Sequence, residues 1–328
     1  MPTEISIVGR TVLEYLDKYP TFSSKYLSEL IYNENPGMFT NPEHVRTTIR
    51  YYRGTCGDIK RKDLDLEHYR PKLSMPESQE EKFKIITLDN NSYPLWVGSD
   101  AHVPYHDQDA LEISFEYGHK RKCKTIILNG DWLDFFAISK FSIDPTKLKI
   151  KEEIEILAKI LKDIKAYFPS GTRIIYKIGN HEERFDRYLM NKAPELYSLP
   201  TTRLAFQLKL NEIGVEVIDN KCPIKIGDLF IIHGHEYRFA ISNPVNPARG
   251  LYLRAKKSAI CGHFHQTSEH TETSINGAVT ATWSTGCLCG LHAEYDPLNK
   301  WNLGFAVVDA HKRGFVVENK RIISYTIV

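Results

Sequence analysis

The sequence predicts an α/β fold, a two-sheet β-sandwich flanked by helices and preceded by a small all-helical domain. Three patterns carry that expectation: helical periodicity over the first ~70 residues, strand–helix alternation from about residue 93, and short strand-like apolar runs after about residue 213. The chain has 328 residues, 42% hydrophobic and 26% charged, which allows two domains and a sizeable core. A net charge of +2 is too small to argue for a nucleic-acid or membrane partner across the whole surface. No apolar run reaches ~18 residues, so no membrane span is expected. Residues 1–10 lack the apolar region of a secretory signal. The cysteines at 56, 123, 222, 261, 287 and 289 lack zinc-finger spacing, which predicts reduced thiols and a cytoplasmic setting.

In chain order, Ile5, Val8, Val12 and Leu16 recur at helical spacing and Pro20 ends the pattern. Thr21 or Ser23 can cap a second helix carrying Leu27, Leu30 and Ile31, which stops near Asn35-Pro36-Gly37. Asn41-Pro42-Glu43 combines a capping Asn, a Pro at the first helical position and an acid at the positive dipole end. That third helix should bury Val45, Ile49 and Tyr52 and end before Gly54. The three make a bundle of helix-turn-helix size over residues 1–72. Residues 73–92 read as a linker, with Phe83 to Leu88 as a possible strand, and residues 93–328 as one further domain. There the strands are expected at 95–99, 125–129 and 173–178. Helices are expected at 107–119 and along the stripe Ile150, Ile154, Leu157, Leu161, Ile164 and Phe168. Strands follow around Val215, Ile224, Phe230, Ile260, Val279, Phe305 and Phe315.

Five segments that follow predicted strands carry the chemistry: Asp100-Ala101-His102, Gly130-Asp131-Trp132-Leu133-Asp134, Gly179-Asn180-His181-Glu182, His233-Gly234-His235 and Gly262-His263-Phe264-His265. Strand ends in an α/β sheet open into the crevice where ligands bind. Carboxylate, imidazole and amide oxygen suit divalent manganese, iron or zinc, and the glycines let the backbone turn toward a metal. Singly, each segment could be a surface turn. Together they hold six of the thirteen histidines, an improbable accident.

The order D-x-H, G-D-x-x-D, G-N-H-E, H-G-H, G-H-x-H resembles the calcineurin-like metallophosphoesterase superfamily over roughly residues 93 to 290, with all five blocks complete. The resemblance implies a two-sheet sandwich and a hydrolase with two divalent ions, manganese first among them, then iron or zinc. It implies one ion held by Asp100, His102 and His265, a second by Asn180, His233 and His263, and Asp131 bridging them. His181 corresponds to a non-ligand histidine at the substrate and Asp134 to the carboxylate that orients it. Two ions ~3.5–4 Å apart would clamp phosphoryl oxygens and activate a bridging water for in-line attack on phosphorus.

Several neighbours admit two readings. His106 either faces the site or begins the next helix. His235 either reaches a substrate phosphate or donates to a nearby carbonyl. Arg184 either meets a phosphate or pairs with an acid such as Glu183 or Asp186. Arg46, Arg50 and Arg53 form one stripe on the third helix, followed by Lys60-Arg61-Lys62, and could track a nucleic-acid backbone. A solvated face or a protein-interaction bundle accounts for them equally, since residues 1–72 hold eleven Lys/Arg and ten Asp/Glu. The expected substrate is a nucleic-acid or nucleotide phosphoester, with a protein Ser/Thr phosphatase or small-molecule phosphatase as alternatives. A non-catalytic scaffold is the remote reading, because scaffold members of the superfamily commonly lack ligands and this chain lacks none.

Overall fold

The computed structural model of the chain describes residues 5–54, 75–80, 82–139, 146, 149–218, 221–237 and 245–328. The chain divides into two compact units, Met1–Glu81 and Lys82–Val328.

The first unit holds α1 (Ile7–Lys18), α2 (Ser24–Glu34) and α3 (Pro42–Tyr52). Each starts at a side-chain cap: Ser6, Ser23 and Asn41 accept from the amides of Gly9, Tyr26 and His44. The apolar stripes meet in a core of Val12, Leu16, Leu27, Ile31, Phe39, Val45 and Ile49. The expected three-arginine stripe is not what forms. Arg53 turns inward and donates to Ser24 Oγ at 2.8 Å and to the Phe22 carbonyl at 2.6 Å, tying α3 to the start of α2. Arg46 and Arg50 stand 3.3 and 3.9 Å from Glu43, which partly neutralises them. Lys60-Arg61-Lys62 lies outside the described residues.

The second unit is a two-sheet α/β sandwich. Its strands are β1 (Ile86–Leu88), β2 (Leu95–Gly98), β3 (Thr125–Asn129), β4 (Arg173–Lys177), β5 (Val215–Ile218), β6 (Ile224–Ile226), β7 (Leu229–Ile231), β8 (Ala259–Cys261), β9 (Ser268–Thr273), β10 (Val279–Ser284), β11 (Leu303–His311), β12 (Gly314–Ile323) and β13 (Thr326–Ile327). One sheet runs β13-β12-β11-β2-β3-β4-β5 and the other β1-β6-β7-β8-β10-β9. Part of the expected linker is thus sheet, because β1 pairs in parallel with β6.

The central strands are apolar on both faces, as strands covered on both sides must be. Leu95, Val97, Ile127 and Ile175 pack between the sheets with Ile224, Leu229, Ile231 and Ile260. Trp96, Ile126, Leu128 and Ile174 point the other way, into a core with Phe115 of α4 (Gln108–Lys120) and Leu157 and Leu161 of α5 (Ile150–Tyr167). Periodicity did not disclose α6 (Glu182–Lys192) or the helix Pro247–Ala255. Among the described residues no helix is long and apolar enough to cross a membrane.

Candidate metal centre

The five segments leave the C-terminal ends of β2, β3, β4, β7 and β8. β2, β3 and β4 are parallel neighbours in one sheet, and β7 and β8 in the other, so topology gathers their exits on one rim. The rim is conformationally strained. Asp100 (φ 58°), His102 (48°), Asp131 (53°), His263 (69°) and His265 (55°) are five of the twelve non-glycine residues with positive φ among the described residues. Each such residue costs about 1–2 kcal/mol. The cost persists because interactions elsewhere on the rim hold the turns in place. The glycines act in two ways. Gly130 itself has φ 86°. Gly179 is needed for space, since a Cβ there would strike the Asp131 carboxylate.

The donor atoms converge. Asp100, His102 and His265 form one group, Asp131, His233 and His263 a second, and His102, Asp131 and His181 a third; within each group the ligand atoms lie within 4.8 Å of one another. His265 Nε2 is 3.2 Å from Asp100 Oδ1 and 3.2 Å from His102 Nε2. His233 Nε2 is 3.2 Å from Asp131 Oδ2. The Asn129 carbonyl, 2.7 Å from His233 Nδ1, accepts its proton and leaves the Nε2 lone pair facing Asp131. Asp134 Oδ1, 3.0 Å from His102 Nδ1, fixes that ring in the same sense. Asp100 Oδ1, Asn180 Oδ1 and His233 Nε2 are buried without a hydrogen bond. Buried lone pairs without donors are costly, and a cation is what such a set accommodates. The residues therefore fit divalent metals.

Charge follows the same logic. Burial would raise the Asp131 carboxyl, but His233 and His181 hold it well below the usual range. Burial works against protonation of His233, yet Asp131 pushes its pKa up to about 10, so a metal would take Nε2 by displacing a proton. His263, half-buried, falls to about 4 through desolvation and the neighbouring His233.

His181 and Asp134 are both brought to the cluster, where Asp134 contacts His102 as well as His181. The Asp134 carboxylate lies nearer His102 than His181, whose Nδ1 is 3.4 Å away. His181 Nδ1 instead donates to the Asp134 carbonyl at 2.8 Å. Arg184 pairs with neither Glu183 nor Asp186. It donates to His181 Nε2 at 2.7 Å and to the Asp134 carbonyl at 3.1 Å. His235 sits beside the cluster, with Nε2 3.0 Å from Glu183. His106 is not gathered in; it lines a groove between α4 and α5 with Leu111, Ile160 and Tyr325.

Two positioning devices escaped the sequence reading. The buried Glu182 carboxylate accepts the amides of Asp131, Trp132, Leu133 and Gly179 and the Tyr176 hydroxyl, all at 2.7–3.0 Å. It thereby clamps the β3 and β4 exits together. Glu236 accepts the amides of His233 and Gly234 and pairs at 2.8 Å with Lys177, which is fully buried. The only sequence signal was an acid beside each histidine block. Two thiols, Cys287 and Cys289, also stand next to His265, so the donor neighbourhood is not free of sulfur.

No protein-family model and no curated protein matches the chain. Among solved structures it is similar to Vps29 from Entamoeba histolytica complexed with zinc, at 13% identity over 72% of this chain and 96% of that one, TM-score 0.38. It is also similar to the phosphoesterase YfcE from E. coli (11%, 72% and 96%, TM-score 0.37). A dimetal phosphatase from Danio rerio is a third (10%, 70% and 96%, TM-score 0.37). The fold and site together define a two-sheet α/β protein whose rim carries a histidine and aspartate cluster suited to divalent metals.

Proposed function

We propose that the chain is a dinuclear metal-dependent phosphoesterase. The observation that carries this reading is the clustering of donor atoms from Asp100, His102, Asp131, His233, His263 and His265 on one rim, with the buried Asp100 Oδ1 and Asn180 Oδ1 left without a hydrogen bond. Asp100, His102 and His265 would hold one ion, Asn180, His233 and His263 the other, and Asp131 both. When bound, two such ions supply a charge clamp for phosphoryl oxygens and make water a nucleophile near neutral pH.

The remaining steps belong to the side chains. Arg184 is 2.7 Å from His181 Nε2 and is the donor placed to exchange that partner for a phosphoryl oxygen. Release of Arg184 frees Nε2 to take up a proton. Burial opposes that uptake, but Asp131 and Asp134 outweigh it and raise the His181 pKa. A protonated His181 can then give its proton to the leaving oxygen. His235, held by Glu183, offers a second polar contact to the ester.

The ester is proposed to be a nucleotide or nucleic-acid phosphoester. Partly exposed Arg46 and Arg50 support docking of a polymer on the first unit, without Arg53. The test begins with the full chain equilibrated with manganese and freed of excess ion, whose bound metal is counted. Aryl phosphate, bis-aryl phosphate, mononucleotides, oligonucleotides and phosphopeptides are then assayed. Two ions per chain and turnover of nucleotidic esters are expected, with Asn180→Ala reduced to one ion. Metal binding with no hydrolysis of any ester would favour the scaffold reading, and no metal binding would end both.

A further inference from the structure

Beside the cluster, residues 291–301 form a loop fastened by its own hydrogen bonds. Asn299 Nδ2 donates to the carbonyls of Leu291 and Asp296 at 2.7 Å each, and its Oδ1 accepts from the Trp301 amide at 2.9 Å. The Asp296 amide closes a turn on Ala293 at 3.0 Å. The next residue, Asn302, donates its amide to the His265 carbonyl at 2.9 Å, so the loop is anchored on the candidate metal rim.

This fastened loop presents aromatic rings. The Trp301 ring lies edge-on to the His265 ring, centroids 4.2 Å apart, and Tyr295 lies 6.1 Å from Trp301 at 63°. Tyr295 is 67% exposed overall, while burial of its hydroxyl end, and then the Asp134 charge, push its pKa up. An aromatic ring held in place yet left in water bears the cost of ordering without the gain of burial. Two rings at a steep angle make a corner, in which a planar group can stack on one face and meet the other edge-on.

We propose that Tyr295 and Trp301 form a nucleobase-stacking subsite that selects a nucleotide as the ester bound at the neighbouring cluster. The proposal deepens the phosphoesterase reading and names the residues that would recognise the base. Stacking accepts any base, since each has a π-face. The loop's charges, Glu294 and Asp296 against Lys300, suit the amino and imino edge of a base better than a further run of phosphates.

The experiment measures dissociation constants for adenosine 5′-monophosphate and ribose 5-phosphate on the manganese-equilibrated full chain, by calorimetry and by quenching of tryptophan fluorescence. Hydrolysis of both is followed in parallel. Wild type and Tyr295→Phe should bind the nucleotide about tenfold more tightly than the sugar phosphate, and Tyr295→Leu should bring that ratio close to one. Tyr295 is exposed, so the leucine variant should fold, and circular dichroism checks it. Equal affinities in the wild type, or an unchanged ratio in Tyr295→Leu, would overturn the subsite. Absence of hydrolysis of both ligands together with the tenfold ratio would keep the subsite and defeat the catalytic reading.

Discussion

Replacing Glu182 by glutamine tests whether the rim is held by one carboxylate. Oε1 accepts from Trp132, Leu133 and Tyr176, while Oε2 accepts from Asp131 and Gly179 at 3.0 and 2.9 Å. The amide keeps one oxygen, and its NH2 group must face two N–H donors. Losing two charge-assisted bonds, each worth about 1.5–3 kcal/mol, gives an expected destabilisation of about 3–6 kcal/mol. The same loss frees the Asp131 turn, so manganese affinity should fall about 10–100-fold. Urea unfolding with a chelator present isolates the first effect, and metal titration of the folded variant measures the second. Tyr176→Phe, which removes only one neutral donor, should cost about 1 kcal/mol. A Glu182→Gln protein within 0.5 kcal/mol of wild type, as stable as a harmless surface change, would refute the clamp.

Other outcomes follow from the same geometry. His181→Ala should keep its metal content and lose about 10²–10⁴-fold in turnover, and unchanged turnover in the metal-loaded variant would remove the proton-donor role. Lys177→Met strands the buried Glu236 charge and should cost about 3–5 kcal/mol, only part of it recovered by adding Glu236→Gln, whose NH2 must face one of the two backbone amides; chemical denaturation of both variants checks this. Burial pushes the Glu153 pKa up from 4.5 to about 8, against the pull of the Phe135 amide. Between those values the folded chain holds a proton the unfolded chain releases, so stability falls as pH rises through that window. Glu153→Gln should therefore gain on wild type between pH 5 and 9, by on the order of 3 kcal/mol, and parallel stability curves would contradict it.

Much of the fold was legible because it is written in local periodicity. The alternation Leu95-Trp96-Val97 states that both faces of β2 are covered, and Asn41-Pro42 marks where α3 starts. The boundaries of β3 match the expected residues 125–129. The donor types of the candidate site were also legible, since Asp-x-His or Gly-Asn-His at a strand end is a feature of a few consecutive residues. Contacts between distant segments were not. Glu182 was visible as an acid in a motif, but its five partners lie on β4 and on the loops after β3 and β4, which the parallel pairing of those strands brings together. Arg53 shared a helical stripe with Arg46 and Arg50, and helical spacing cannot say that its guanidinium reaches back to α2. His106 lies four residues from His102, yet the chain turns between them and leaves it in another groove.

The sequence by itself determined the element types, the two-sheet class and the inventory of metal-prone side chains, because propensity, spacing and donor chemistry are properties of short stretches. Tertiary structure decided which of those side chains share one rim, which carboxylates hold them there, and that Tyr295 and Trp301 stand beside them. The physical reason is that a hydrogen bond or ring contact acts over a few ångströms. Strand order and register alone bring residues so far apart in the chain within that range.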